Sequence, residues 1–227
     1  MNIFDTIYHR LYRHFGPQYW WPGETPEEII IGAVLTQNTN WQNVSRAIDN
    51  LRQNGSLSLQ AVSQLSPKRL AQLIRPSGYY NIKQKRLRAV ADYFVSRWRG
   101  DLSRIIKIPT PALRKELLNI HGVGRETADS ILLYALKRPV FVVDAYTIRI
   151  GSRHGLFPDD SNYEVVRGLF ESHLKRSVSL FNEYHALLVR LGKEFCKPKS
   201  LCLKCPLQEE VFYAPFYLPN YNGTIYK

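Results

Sequence analysis

Acidic residues are scarce in this chain: 19 Asp and Glu stand against 31 Lys and Arg, for a formal charge of +12 over 227 residues. A surplus of that sign favours a polyanionic partner, because each neutralised phosphate releases counterions. Long apolar runs are also missing. No stretch approaches the roughly 20 residues of a membrane span. The first segment, MNIFDTIYHRLYRHF, is an amphipathic mixture without the hydrophobic stretch of a secretory signal. The expectation is a soluble, intracellular protein with no membrane partner. Low-complexity tracts and internal repeats are absent, which excludes linkers and solenoids. Alternating strand patterns are nearly absent too. PVFVVDA at 139–145 is the one good candidate, and a lone strand cannot cover its edges.

What is present reads as short helices with clear punctuation. Hydrophobic residues make up 44% of the chain, enough for one large domain or two modest ones. Thr25, Pro26 and Glu28 offer an N-cap, a first-turn proline and a capping-box acid ahead of the apolar run IIIGAVL. Thr39 with Gln42 repeats the device, so TQNT at 36–39 should connect two helices. Further helices are expected at 67–75, 82–98, 111–118, 124–136, 145–153, 163–175 and 177–194. The fold class is therefore all-α, in two helical domains. The tail after Pro206 has no period and is expected to be an irregular strap or a frayed end.

Charge is concentrated between Lys68 and Arg99, where Lys68, Arg69, Arg75, Lys83, Lys85, Arg86, Arg88, Arg97 and Arg99 face the single acid Asp92. Tyr79, Tyr80, Tyr93, Phe94 and Trp98 are interleaved, a mixture suited to phosphate contact with base stacking. A helix with a solvated basic side explains the same run equally well.

In LLNIHGVGRETADSIL at 117–132, one helix ends, Gly122-Val123-Gly124 turns, and Arg125 opens a second. Glycine there serves positive φ or close backbone approach, and the unpaired amides of a helix start suit an anion. An ordinary helix-helix turn is the competing reading. Glu126 in the first turn is favoured by the helix dipole, worth roughly 0.3–1 kcal/mol. Asp144 precedes a helix and can serve as its cap or as a catalytic carboxylate. Trp20, Trp21 and Trp41 gather near the ends of the first capped helix, as core or as a stacking surface.

LLNIHGVGRETA followed by VVDAYTIRI resembles the helix-hairpin-helix DNA glycosylase superfamily, the group that contains endonuclease III. GAVLTQNTNWQNVSRAI, IRPSGYYNIKQKRL and EYHALLVRLGKEFC carry the resemblance over most of the chain, in the arrangement of its 3-methyladenine DNA glycosylase branch. The resemblance implies a six-helix barrel with the hairpin at 23–136, a second helical domain from 1–22 and 137–227, and an active site in the cleft between. It implies Asp144 as the essential carboxylate, with Trp20, Trp21, Pro22 and Trp41 around the damaged base. It places DNA on Gly122, Val123, Gly124 and Arg125, with Gln37 near the extrahelical nucleotide and Tyr79, Tyr80 and Asn81 against the opposite strand. Bifunctional members carry a lysine at the position of Glu126, and a carboxylate cannot form the Schiff base that leads to strand cleavage. The implied function is monofunctional excision of alkylated purines such as 3-methyladenine from double-stranded DNA, by a monomer associated with the nucleoid. A glycosylase for uracil or mismatches and a non-catalytic DNA-binding relative are the alternatives. A monovalent cation on main-chain carbonyls of the hairpin is a further implication.

The three cysteines, Cys196, Cys202 and Cys205, lie in CKPKSLCLKC, a spacing that points to metal more than to a disulfide. The family carries a [4Fe–4S] cluster here on four cysteines, the last expected near Val211, and that thiolate is missing. Glu209 or Glu210 completes the set, or the site is a remnant, or zinc joins the three thiols with a distant histidine.

Overall fold

The computed structural model describes residues 2–20 and 23–208. Trp21, Pro22, Glu209, Glu210 and the tail beyond them lie outside the described residues. Eleven α-helices run through these residues: α1 Ile3–Phe15, α2 Pro26–Leu35, α3 Trp41–Gln53, α4 Leu59–Gln64, α5 Pro67–Leu73, α6 Tyr80–Trp98, α7 Thr110–Leu118, α8 Arg125–Ser130, α9 Ala145–Arg153, α10 Tyr163–His173 and α11 Val178–Glu194. Ile131–Ala135 continues α8 as a single π turn. No strand is present among the described residues, and PVFVVDA runs as an extended connection.

The chain divides into two compact units, and among the described residues these are 23–142 and 2–20 with 143–208. The change of unit falls between Val142 and Val143, later than residue 136. Arg138 explains why: its amide donates to Leu132 O at 2.8 Å and its guanidinium to Ile105 O and Ile106 O, which ties 137–142 to the first unit.

In the 23–142 unit, α2 is the central helix. Residues from Ile29 to Leu35 are all buried, so a helix apolar on every side is surrounded by α3, α6, α8 and the π turn. Thr25 Oγ1 accepts from Glu28 N at 3.1 Å, and Glu28 Oε2 accepts from Glu24 N at 3.3 Å, completing the start signal read in the sequence. The next start differs from expectation. Asn40, not Thr39, caps α3, its Oδ1 accepting from Asn43 N at 3.0 Å. Both side chains can cap, and Asn40 has the extended backbone of an N-cap, φ −88° and ψ 159°.

In the other unit, α11 packs on α1 and α9. Phe181, Tyr184, Leu187 and Leu191 are fully buried, and Tyr184 Oη donates to Phe4 O at 2.9 Å. Gly192 lets α9 approach: a Cβ there would stand 2.2 Å from Tyr146 Cδ1.

Part of the basic run from Lys68 to Arg99 is turned inward or engaged in pairs, while Lys68, Arg69, Arg75, Lys85, Arg97 and Arg99 are exposed. Lys83 is buried, Arg86 reaches the hairpin turn, Arg88 donates to Ser63 O and Leu65 O, and Arg97 pairs with Glu116 at 2.7 Å. Phe94 is core, and Tyr93 Oη donates to Glu116 Oε2 at 2.7 Å. Lys83 and Arg88, which read as phosphate contacts, therefore satisfy main-chain carbonyls instead, because helix ends and turns leave acceptors that long cations can reach.

Candidate functional site

Asp144 stands at the start of α9 with an extended backbone, φ −119° and ψ −178°. Its Oδ1 accepts from Thr147 N at 2.7 Å and from Thr147 Oγ1 at 2.9 Å, so it caps the helix. Its Oδ2 faces His185 Nε2 on α11 at 3.5 Å. Thr147 is fully buried and His185 nearly so. Burial alone would raise the carboxyl pKa. The charge and hydrogen bond of His185, with the two Thr147 donors, outweigh that effect and hold it below the ordinary aspartate value. An anion is thus fixed in a mostly water-poor setting with one oxygen turned to an imidazole. The cap uses Oδ1 and leaves Oδ2 toward His185, so capping does not occupy both oxygens of Asp144.

His185 was not assigned by sequence. Nothing in the local pattern of NEYHALL marks it, since only the packing of α11 on α9 brings it to Asp144.

In the other unit, the hairpin joins α7 to α8 through Gly122 and Gly124. Gly122 has φ +81°, and a Cβ there would stand 2.2 Å from Arg86 Cγ, so both reasons for glycine apply. Gly124 has neither, and its outer side is open. No side chain caps α8 at Gly124, which leaves the first-turn amides for an outside acceptor. Val123 is buried and its amide already donates to Ile120 O at 3.0 Å. Arg125 and Glu126 are exposed on the first turn. Arg114 and the fully buried Asp129 form a bidentate pair at 2.6 and 3.0 Å that locks α7 to α8.

Gln37 is bound to this turn. Its Nε2 donates to Gly122 O at 3.1 Å and to Thr127 Oγ1 at 3.0 Å, while its Oε1 accepts from Arg86 at 2.6 Å. Asn38 beside it is exposed, with φ +52°. Tyr79 is 68% exposed with φ +47°, Asn81 is exposed and Tyr80 half-buried. Arg75 lies over the Tyr80 ring at 5.9 Å. Trp20 and Trp41 are half-buried, one in each unit, and Lys193 Nζ lies 5.8 Å from the Trp20 ring centre.

Cys196 is buried, Cys205 half-buried and Cys202 exposed. Burial raises the Cys205 thiol, and the charges of Cys196 and Cys202 push it the same way. Arg153 and Arg149 tie this loop to α9 through Lys197 O, Pro198 O and Cys196 O. Among the described residues, no group of three or more metal-ligating side chains converges. Three thiols alone do not complete a four-ligand site, and Glu209 and Glu210 lie outside the described residues.

One unit carries a helical hairpin with an uncapped helix start, and the other carries a buried carboxylate at a helix start. The profile of the HhH-GPD superfamily of base excision DNA repair proteins matches residues 31–176, and the chain belongs to that family. A Methanocaldococcus jannaschii protein provisionally named a DNA repair glycosylase is 46% identical over 92% of this chain and 96% of its own. The Helicobacter pylori 3-methyladenine DNA glycosylase, solved with 1,N6-ethenoadenine, is 26% identical and superimposes with a TM-score of 0.72 over 86% of this chain and 98% of that one. An endonuclease III bound non-covalently to DNA has the same fold, with a TM-score of 0.77 at 21% identity over 92% of this chain and 95% of its own. The protein is a DNA repair glycosylase of this superfamily. No described helix is long and apolar enough to cross a membrane.

Proposed function

We propose that the protein is a monofunctional glycosylase that releases alkylated purines from duplex DNA and leaves the sugar–phosphate chain intact. The observation that carries this reading is Asp144, an anion kept ionised in buried surroundings by Thr147 and His185. Breaking a purine–sugar bond develops positive charge on the deoxyribose, which a fixed carboxylate stabilises while it orients the attacking water. His185 is a positioning residue that keeps Asp144 ionised and aimed. Glu126 supplies no amine, so the abasic sugar is not captured as an imine.

An N-alkylated purine is cationic and leaves readily. Stacking on Trp20 gives it a cation–π attraction of roughly 0.5–2 kcal/mol; Trp41 is a further stacking candidate, and Trp21 and Pro22 lie outside the described residues. The amides of Gly124 and Arg125, with the open backbone of the hairpin turn, grip a phosphate, and Tyr79, Tyr80 and Asn81 meet the strand opposite the lesion. Gln37 braces the hairpin, which leaves Asn38 as the tip of its loop. Cys196, Cys202 and Cys205 are the candidate ligands of a cluster, which enters no step of this reaction. The protein acts as a monomer.

Lys193 beside Trp20 favours a second reading, a neutral lesion, since a resident cation disfavours a second one. The ethenoadenine bound by the H. pylori relative is of that kind. A panel of duplexes with 3-methyladenine, 1,N6-ethenoadenine, uracil or a mismatch separates the readings. Release of the methylated purine supports the first, ethenoadenine or uracil alone supports the second, and no release from any sinks both.

A further inference from the structure

Four exposed residues of the 23–142 unit hold left-handed backbones, Asn38, Tyr79, Arg99 and Lys137, and two of them share one neighbour: Asn38 after α2 and Tyr79 before α6. For a bulky residue such as tyrosine that conformation is a true outlier and must be imposed by its surroundings. Behind both loops stands Lys83, 1% exposed on the first turn of α6. Its Nζ donates to Leu35 O at 2.8 Å and to Ser77 O at 2.7 Å. Leu35 ends α2 just before the loop of Asn38, and the fully buried Ser77 leads through Gly78 into Tyr79.

Burying an ammonium on carbonyls alone is a poor way to stabilise a core, where an apolar side chain of like volume serves as well or better. What the ammonium does provide is a fixed distance between two loops. Burial, with Arg86 adding to it, lowers the Lys83 pKa to about 8. A neutral amine still carries two N–H donors for two carbonyls, so the link survives deprotonation.

We propose that Lys83 is the positioning residue for base extrusion: it clamps the loops of Asn38 and Tyr79 so that both tips enter the duplex together, one in the gap and one against the opposite strand. Extrusion costs least for a base that is already out of the stack, so the clamp matters most for a target stacked in the duplex opposite a partner base. This inference rests on the glycosylase reading above.

The test compares wild type with Lys83→Met, which keeps the stem and removes the donors, on two duplexes carrying one 1,N6-ethenoadenine. In one the lesion faces thymine; in the other it sits in a single-base bulge. Single-turnover release from the duplex with thymine opposite should fall about tenfold or more, with release from the bulge and DNA affinity changed less than about threefold. Equal losses on both duplexes, or no loss on either, would overturn the clamp. Should Lys83→Met fail to fold, Lys83→Gln, whose shorter stem draws its donors back from the two carbonyls, carries the test with the same outcomes. If wild type releases no base from either duplex, the glycosylase reading for this lesion fails. The clamp is then judged by 2-aminopurine fluorescence at the target: a rise on binding wild type that Lys83→Met abolishes supports it, and an equal rise overturns it.

Discussion

His185 Nε2 lies 3.5 Å from Asp144 Oδ2, so α11 presents an imidazole to the carboxylate that caps α9. The carboxylate has one oxygen for the helix and one for its neighbour. Replacing Asp144 by Asn should keep the cap, since Asn caps as well as Asp. Folding and DNA affinity should change little, while base release falls by about 10²–10³-fold or more. Single-turnover kinetics with a parallel binding titration check this, and a fully active Asn variant contradicts it.

The His185 contact predicts a pH effect with a definite sign. In the wild type the lowered carboxyl pKa keeps Asp144 ionised until strongly acid solution, so base release falls only there. In His185→Gln the charge that offsets burial is gone and the carboxyl pKa rises. The acid limb of the rate profile should therefore move to higher pH, with kcat reduced and KM little changed. An unmoved limb would show that His185 is only packing.

The cap that Asp144 forms was legible in the sequence, and its neighbour His185 was not. Capping signals report on a few neighbouring residues, so Thr25, Glu28 and Asp144 could be read directly. Thr39 and Asn40 are equally able caps, and only the backbone chooses between them. Helix α4 escaped notice because six residues carry too little periodicity. The roles of His185, Gln37 and Lys83 depend on helices packed together from distant segments. Net charge misled in the same way: the sequence counts Lys83, Arg86 and Arg88 as surface charge, whereas their donors serve internal acceptors.

The two hairpin glycines should separate stability from binding. Gly122→Ala places a side chain at φ +81° against Arg86, so stability should drop by about 1–2 kcal/mol for the backbone alone and further for the displaced arginine. Gly124→Ala meets no atom within 4 Å and should fold normally. If a phosphate rests on that backbone, the added methyl should nonetheless weaken DNA binding several-fold. Thermal melts and a salt-dependent binding series measure both, and equal behaviour of the two variants would contradict the assignment.

Lys83 should leave a signature in stability against pH. Its pKa is about 8 folded and near 10.5 unfolded, so the unfolded chain binds more protons between those values and stability rises with pH there. The gain, measured as wild type minus Lys83→Met by denaturant unfolding from pH 7.5 to 10.5, should have that sign. A flat difference would mean the amine is not held in a setting that disfavours its charge.

Glu126 predicts the absence of an imine. Borohydride should trap no covalent complex between this protein and DNA holding an abasic site, under conditions where an endonuclease III control is trapped. A strong adduct would place a nucleophilic amine where the account has none.

The most direct measurement is chromatography of the base released from a methylated duplex by wild type and by Asp144→Asn. The account predicts free 3-methyladenine with unbroken DNA strands from the wild type and almost none from the variant. Release of no methylated purine, or equal release by both proteins, would contradict it.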